Sequence, residues 1–407
     1  MLIKPYLGCN IHCSYCYQRN LRAKDRPKKI YDLPAILKRM EENKNREQIT
    51  LHGGEILALP KKDVETMLAK IYSLQNYSGI QTNATLIDDD YIAMFKKYKT
   101  SVGISWDGPG ELSELRHGAK NVEKTIEKLK KEGIATSTII VLTKANAGTK
   151  TRLNKLKKYL LYLNKIQVTG RINACTGAPQ NELPMKQLIA VYLDLAQFCL
   201  AHGLCWDPFG DIVKALRNEG PVCTFRECDP FSSSSAMVIL ADGSITNCMR
   251  LNSEEILLRD PQVYHTRDEI LKNVPQQFGG CKDCPYWVSC HGGCSSNGIH
   301  NDWRNRDYLC PLWKALFGYF KKILFVCLDS SVIPATSQPT DIQRSQKDGV
   351  SDGKHIHGDS PYGDHTDSSP LRTTINGVIH TDFYRPHGDS HGDHSDSQPP
   401  VMNIKEQ

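Results

Sequence analysis

Residues 9–16 read Cys9-Asn10-Ile11-His12-Cys13-Ser14-Tyr15-Cys16 and directly follow a short apolar run at 2–7. Three thiols at this spacing can hold three irons of a four-iron cubane, which leaves the fourth iron with an open coordination position. A structural zinc site instead uses four Cys or His ligands, usually in two close pairs. Two further groups lie downstream. Cys223, Cys228 and Cys248 form the second, and Cys281-x₂-Cys284-x₅-Cys290-x₃-Cys294 followed by Cys310 forms the third. Eleven of the fifteen cysteines are used in this way, enough for one open cluster and two fully ligated ones. Cys175, Cys199, Cys205 and Cys327 lack ligand spacing and read as buried packing cysteines.

Outward from the first triplet, the chain alternates two kinds of segment. Strand-like runs fall at 2–7, 48–51, 79–82, 101–105, 135–142 and 165–172. Amphipathic helical stretches fall at 33–43, 61–73, 88–98, 122–132, 149–163 and 184–202. Six β-then-α units predict an α/β fold with a parallel sheet, whose chemistry gathers at the carboxyl ends of the strands. Residues 223–310 read as short strands and loops tied by metal, with Ala241-Asp242-Gly243-Ser244 as a hairpin turn. A closing helix is expected over 312–328. It is interrupted by Lys314, Lys321 and Lys322, so no membrane span is expected.

The chain of 407 residues carries a net charge of +6, unevenly placed. Residues 1–327 carry +12 and residues 328–407 carry −6. A basic body with an acidic tail invites three readings: nucleic-acid binding, an acidic peptide partner, or attraction between body and tail. No nucleic-acid motif or aromatic-interleaved basic stripe accompanies the charge, so nucleic acid is not expected as a partner. The first residues lack a basic segment followed by an apolar run, and a cytoplasmic location is expected. From residue 330 the composition turns to Asp, His, Ser, Gly and Pro, which predicts disorder. Within it, His357-Gly-Asp-Ser-Pro-Tyr-Gly-Asp-His-Thr-Asp-Ser368 returns as His387-Gly-Asp-Ser-His-Gly-Asp-His-Ser-Asp-Ser397.

The first triplet resembles the signature of the radical S-adenosylmethionine enzymes, with an aromatic residue, Tyr15, before its third cysteine. Three further segments resemble that family in order. Gly53-Gly54-Glu55 resembles the methionine-binding turn, where Glu55 would accept from the cofactor's ammonium group. Gln81-Thr82-Asn83 resembles the end of the third strand. Ser105-Trp106-Asp107-Gly108-Pro109 resembles the ribose-contacting segment, and Arg116 would meet the methionine carboxylate. Ile56 departs from the Pro that relatives often carry. The resemblance implies a partial (β/α)6 TIM-like barrel, S-adenosyl-L-methionine as cofactor, and a 5′-deoxyadenosyl radical that takes hydrogen from the substrate.

The later cysteines resemble the SPASM domain of radical peptide maturases. By that resemblance Cys223, Cys228, Cys248 and Cys294 hold one auxiliary cluster, and Cys281, Cys284, Cys290 and Cys310 the other. With the cluster on Cys9, Cys13 and Cys16 this makes three [4Fe-4S] clusters. Two zinc ions are the alternative for the later groups. The resulting division is 1–205 barrel, 206–328 SPASM domain with closing helix, and 329–407 tail. The resemblance also implies a flavodoxin or ferredoxin electron donor.

Sulfatase maturases of this family place an Asp, as base, directly after the cysteine matching Cys248. Here that position is Met249, followed by Arg250, so no catalytic base is assigned. The expected activity is therefore oxidative modification, by crosslinking, of side chains in a ribosomally made peptide, with the chain's own residues 355–397 as a candidate substrate. Three alternatives stand beside it. One is formylglycine formation on sulfatases. Another is a non-catalytic iron–sulfur scaffold. The third is a tail that only binds metal or solubilises. The reconstituted chain with dithionite and S-adenosylmethionine should release 5′-deoxyadenosine, detected by chromatography. A Cys13→Ala chain should release none, and none from the parent chain either would favour the scaffold.

Overall fold

The computed structural model describes residues 1–18, 31–46, 48–219, 225, 237–246, 248, 250, 266–329, 373–375 and 378–380. The expected ligands Cys223 and Cys228, position 249 and nearly all of the tail lie outside the described residues.

The first seven strands of the central sheet are β1 (Leu2–Ile3), β2 (Thr50–Leu51), β3 (Ser78–Thr82), β4 (Thr100–Ser105), β5 (Thr136–Leu142), β6 (Thr169–Ala174) and β7 (Trp206–Asp207). Each pairs in parallel with the next, in chain order. The crossovers are α1 (Leu33–Glu42), α2 (Lys61–Gln75), α3 (Asp89–Lys97), α4 (Val122–Lys131), α5 (Lys150–Lys165) and α6 (Met185–Ala201). Their boundaries follow local chemistry. Asp32, Asp88 and Thr149 cap α1, α3 and α5 by accepting from backbone N–H groups in the first turn. On α4, Val122, Ile126 and Leu129 recur at helical spacing and are all buried. On the sheet, Ile80, Val102, Ile104, Ile140, Leu142 and Ile172 are buried in the core.

All six expected strands are present, and two details differ. A seventh parallel strand, β7, joins the sheet just past the expected barrel boundary at 205. The sixth begins later than expected because α5 runs to Lys165, and Gln167, at φ 55°, turns the chain before β6. The expected boundary between barrel and SPASM domain also cuts a continuous sheet. β8 (Val238–Ile239) pairs in parallel with β1, and β9 (Ile245–Thr246) folds back antiparallel on β8. Met1–His355 accordingly forms one unit.

The hairpin turn falls where the sequence placed it, with Gly243 at φ 76°. It docks on α1, where Arg39 Nε donates to the Gly243 carbonyl at 3.0 Å. The closing helix α8 (Cys310–Asp329) buries Leu312, Trp313, Leu316, Phe317 and Phe320, one face of a helix, against α6 and the short α7 (Phe209–Leu216). No helix among the described residues is long and apolar enough to cross a membrane. Of the unassigned cysteines, Cys175 and Cys199 are buried as expected. Cys205 is exposed, because it lies in the loop between α6 and β7.

Residues 356–407 form a separate unit. Against the expectation of a tail without structure, Thr373–Ile375 and Val378–His380 pair as an antiparallel hairpin. Asn376-Gly377 stands between them in sequence, the dipeptide most favoured by two-residue hairpins.

The turn after β2 brings backbone against backbone at the barrel mouth. A Cβ on Gly54 would sit 2.0 Å from the Gly8 carbonyl oxygen, and one on Gly53 2.5 Å from that of Tyr6. Backbone hydrogen bonds from Gly54 N to Tyr6 O and from Glu55 N to Gly8 O, both 2.8 Å, hold this approach. Gly54→Ala is expected to cost at least about 1–3 kcal/mol through overpacking against backbone. It should also displace the Cys9 loop. Urea unfolding and iron content per chain would both fall, and an unchanged chain would show that the loop can yield.

Candidate active site

The carboxyl ends of the parallel strands surround a cavity of about 460 Å³. Cys9, Cys13 and Cys16 line it together with Gly53, Gly54, Ser105, Arg116 and Tyr15. Of the eleven expected metal ligands, Cys294 also reaches it. Thus the signature triplet, the glycine turn, the end of β4 and the later cysteine module meet in one space, although they are scattered over nearly 290 positions of sequence.

Three braces fix the cysteine loop. The first is the Gly53–Gly54 turn. The second is the end of β3, where Asn83 Nδ2 donates to Asn10 Oδ1 at 2.8 Å and lies 3.6 Å from Cys9 Sγ. The third is a two-residue antiparallel ladder in which His12 and Cys13 pair with His117 and Arg116. This ladder sets the Arg116 guanidinium beside the triplet, with Nη1 3.8 Å from Cys13 Sγ. Donors therefore point at two of the three sulfurs. Burial, partly opposed by the Arg116 charge, pushes the Cys13 thiol up to about 11. Cationic and N–H donors beside buried thiols suit sulfur held as thiolate, as an iron cluster requires.

Two of the expected cofactor-contact residues, Glu55 and Asp107, stand outside the cavity lining. Glu55 does not line the cavity. It is fully buried, and its carboxylate accepts from Leu57 N at 3.0 Å, Thr82 Oγ1 at 2.7 Å and Asn83 N at 2.7 Å. It ties the glycine turn to the end of β3. Asp107 is also buried behind the wall. One carboxylate oxygen accepts from Val141 N at 2.8 Å, and the other accepts from Arg116 Nε at 3.1 Å and from the Tyr15 hydroxyl. Asp107 thus positions Arg116 and Tyr15. Its charge keeps Arg116 ionised despite burial, which by itself would lower the Arg116 pKa. Desolvation, reinforced by Asp107, raises the Tyr15 phenol well above its ordinary value. Ser105 remains at the cavity surface, where its hydroxyl accepts from Gln81 Nε2 at 2.9 Å. A methionine carboxylate fits Arg116, and hydroxyl and amide groups at Ser105 and Gln81 fit a ribose.

Among the described residues, no group of three or more Cys, His, Asp and Glu side chains is gathered to hold a metal ion. The later thiols line cavities instead. Cys281, Cys284, Cys290 and Cys310 share a small one, walled by Trp287, Trp313 and Phe317. Burial, then their mutual charge, raises Cys281 to about 12 and Cys290 well above a free thiol. These are the four that the resemblance to SPASM domains assigns to one auxiliary cluster. Cys294, on the main cavity, is held by Asp307, which accepts from Cys294 N at 3.2 Å and from the Trp313 indole N–H at 2.9 Å.

Sequence reading missed several groups. Arg267 is fully buried and donates to the carbonyls of His291, Gly292, Gly293, Trp303 and Asn305, which fixes the loop that carries Cys290 and Cys294. Arg171 and Arg250 line the main cavity. Arg171 is held by Asp211 and Asp207, whereas Arg250 donates to Thr176 Oγ1 at 2.7 Å and stacks over the Tyr17 ring at 5.4 Å. Nothing in the local sequence marks these arginines, because their neighbours come from distant strands.

Residues 3–149 match the Radical SAM superfamily model. The cysteine-type anaerobic sulfatase-maturating enzyme of Clostridium perfringens is 23% identical over 362 residues, which cover 78% of this chain and 95% of that protein. The serine-type enzyme of Bacteroides thetaiotaomicron is 30% identical over 167 residues, 36% of this chain and 40% of that protein. The structure of native anSMEcpe with bound AdoMet and Kp18Cys peptide superposes with a TM-score of 0.64 at 21% identity, covering 81% of this chain and 99% of that one. Streptococcus suis SuiB bound to the precursor peptide SuiA gives 0.52 at 17% identity, covering 76% and 75%. These two structures share the fold.

Removal of the Asp107 carboxylate leaves Arg116 charged and buried without its counter-ion. Asp107→Ala is expected to destabilise the chain by about 3–5 kcal/mol, read by urea unfolding. It should also weaken S-adenosylmethionine binding through misplacement of Arg116. A variant as stable as the parent would show that the pair is dispensable.

Proposed function

We infer, from a chain that carries a radical SAM domain over residues 3–149 and is homologous to anaerobic sulfatase maturases, that it is a radical SAM/SPASM enzyme acting on a peptide. The observation that carries this reading is the single cavity shared by the first cysteine triplet, the cofactor-type turns and Cys294 of the later module. When bound at the open cluster, S-adenosylmethionine supplies a carbon radical able to take a hydrogen atom from an unactivated position. The chain's own residues orient and enclose. Cys9, Cys13 and Cys16 hold the open cluster. Arg116, fixed by Asp107, receives the methionine carboxylate, and Ser105 and Gln81 face the ribose. Cys281, Cys284, Cys290 and Cys310 hold one auxiliary cluster; Cys248 and Cys294, with Cys223 and Cys228, hold the other. Full thiolate ligation of both leaves them to accept an electron rather than bind substrate. A flavodoxin or ferredoxin delivers the reducing electron.

The substrate we propose is a ribosomally made peptide whose side chains become crosslinked, and the repeated segment at 355–397 is the candidate sequence. A basic body, an acidic duplicated segment and covalent attachment support it, since a flexible tether gives an effective concentration up to about millimolar. Formylglycine formation is a second reading, supported by homology to sulfatase maturases over 95% of their length. Against it, no Asp or Glu lines the cavity among the described residues, and position 249 carries Met where those enzymes carry a base.

Intact-mass analysis after anaerobic expression separates the readings. Each crosslink should remove about two hydrogens from tail fragments, by the stoichiometry of a two-electron oxidation, and a Cys13→Ala chain should show no loss. A tail of unchanged mass while the cofactor is consumed would sink the fused-substrate idea. Efficient conversion of a cysteine-type sulfatase peptide to an aldehyde would favour the second reading.

A further inference from the structure

The main cavity is lopsided in charge. Arg116, Arg171 and Arg250 line it, and no Asp or Glu does so among the described residues. The three guanidiniums differ in what answers them. Arg116 has Asp107 behind it, and Arg171 has Asp211 and Asp207. Arg250 forms no ion pair with a carboxylate of the described residues. It is held by the Thr176 hydroxyl at 2.7 Å, the Tyr17 ring at 5.4 Å and a long contact of 4.0 Å to Cys294 Sγ. These contacts orient the fork and pair it with no carboxylate; as a cluster thiolate, Cys294 would share its charge only at that longer distance. A guanidinium in this state is a ready recognition element for a carboxylate, because the planar fork matches two oxygens and the partly enclosed site strengthens the pairing.

The side chains that anchor Arg250 come from other elements than Ser105 and the glycine turn, although its Tyr17 ring follows Cys16 of the triplet. Thr176 follows β6, and Cys294 belongs to the later module, whereas Ser105 and the glycine turn lie at β4 and β2. We propose that Arg250 is a specificity-determining residue that selects an acidic peptide by pairing with a carboxylate beside the side chain to be modified. This rests on the reading that the cavity takes a peptide. It adds a chemical class of substrate: a segment with Asp or Glu within a few residues of the reacting position. The tail repeats carry Asp at three corresponding places, Asp359 and Asp389, Asp364 and Asp393, and Asp367 and Asp396. A neutral or basic peptide would leave the Arg250 fork without a carboxylate partner, which is a lost contact.

The test compares two labelled peptides on the reconstituted full-length chain by anisotropy. One has the sequence of residues 387–397, and the other carries Asp389→Asn, Asp393→Asn and Asp396→Asn. Only the ratio of affinities is read, so competition from the attached tail cancels. The acidic peptide should bind at least ~10-fold more tightly to the parent chain. Arg250→Gln should bring the ratio to about one, and Arg250→Lys should retain part of it. Lys186→Gln, which removes an exposed charge elsewhere, should leave the ratio intact. Iron content is measured alongside. If Arg250→Gln fails to hold its clusters, Thr176→Val, which frees the guanidinium from its anchor, serves instead and should cut the ratio several-fold. Equal affinities on the parent chain, absence of binding included, overturn the proposal, as does a preference that survives both Arg250→Gln and Thr176→Val. An unmodified tail in the mass experiment would sink the fused-substrate reading alone, because the affinity ratio does not depend on turnover.

Discussion

One buried carboxylate holds the mouth of the barrel together. Glu55 receives three hydrogen bonds, from the turn it begins and from the end of β3, and is closed off from solvent. A desolvated carboxylate is costly unless its oxygens are well satisfied, so this set of donors admits little variation in geometry. The Gly53–Gly54 turn is thereby pinned, and with it the cysteine loop that presses against those two glycines. The arrangement that brings three thiols to one rim depends on this contact more than on any interaction among the cysteines themselves.

A second buried carboxylate acts in the same way on the other side. Asp107 fixes Arg116 and Tyr15, and the Arg116 strand zips onto the cysteine loop from beneath. The charges that face the cavity are thus cationic, while the acids that balance them stand one layer behind. This layering explains both the donor-rich surroundings of the triplet and the preference expected for anionic groups in the space above it. In the later module, Asp307 and Arg267 play corresponding parts by holding the loop that carries Cys290 and Cys294.

Much of this was legible from sequence. The six β/α units, the hairpin at 241–244 and the closing helix follow from periodicity and turn chemistry, which act over a few residues. The groups of cysteines are legible for the same reason, since cluster ligands come in short fixed spacings. Roles assigned through a motif were less secure. Glu55 and Asp107 both sit in the expected segments, yet each turns its side chain into the wall. Motif position records where the backbone passes and not which way a side chain finds its donors. β7 was missed because two residues, Trp206–Asp207, carry no alternation to read.

The sequence by itself determined the chemistry available: three thiols at the spacing of an open cluster, eight more cysteines in two later groups, glycines where backbones must touch, and a basic body with an acidic tail. Only the tertiary structure decided which of these meet. It set β8 beside β1 and so joined the later module to the barrel's own sheet. It also placed Cys294 and Arg250 on the cavity that holds the triplet. The physical reason is range. Spacing rules and propensities act between neighbours in the chain, whereas the charge of a cavity is the sum over strands far apart in sequence, fixed only when the sheet is assembled.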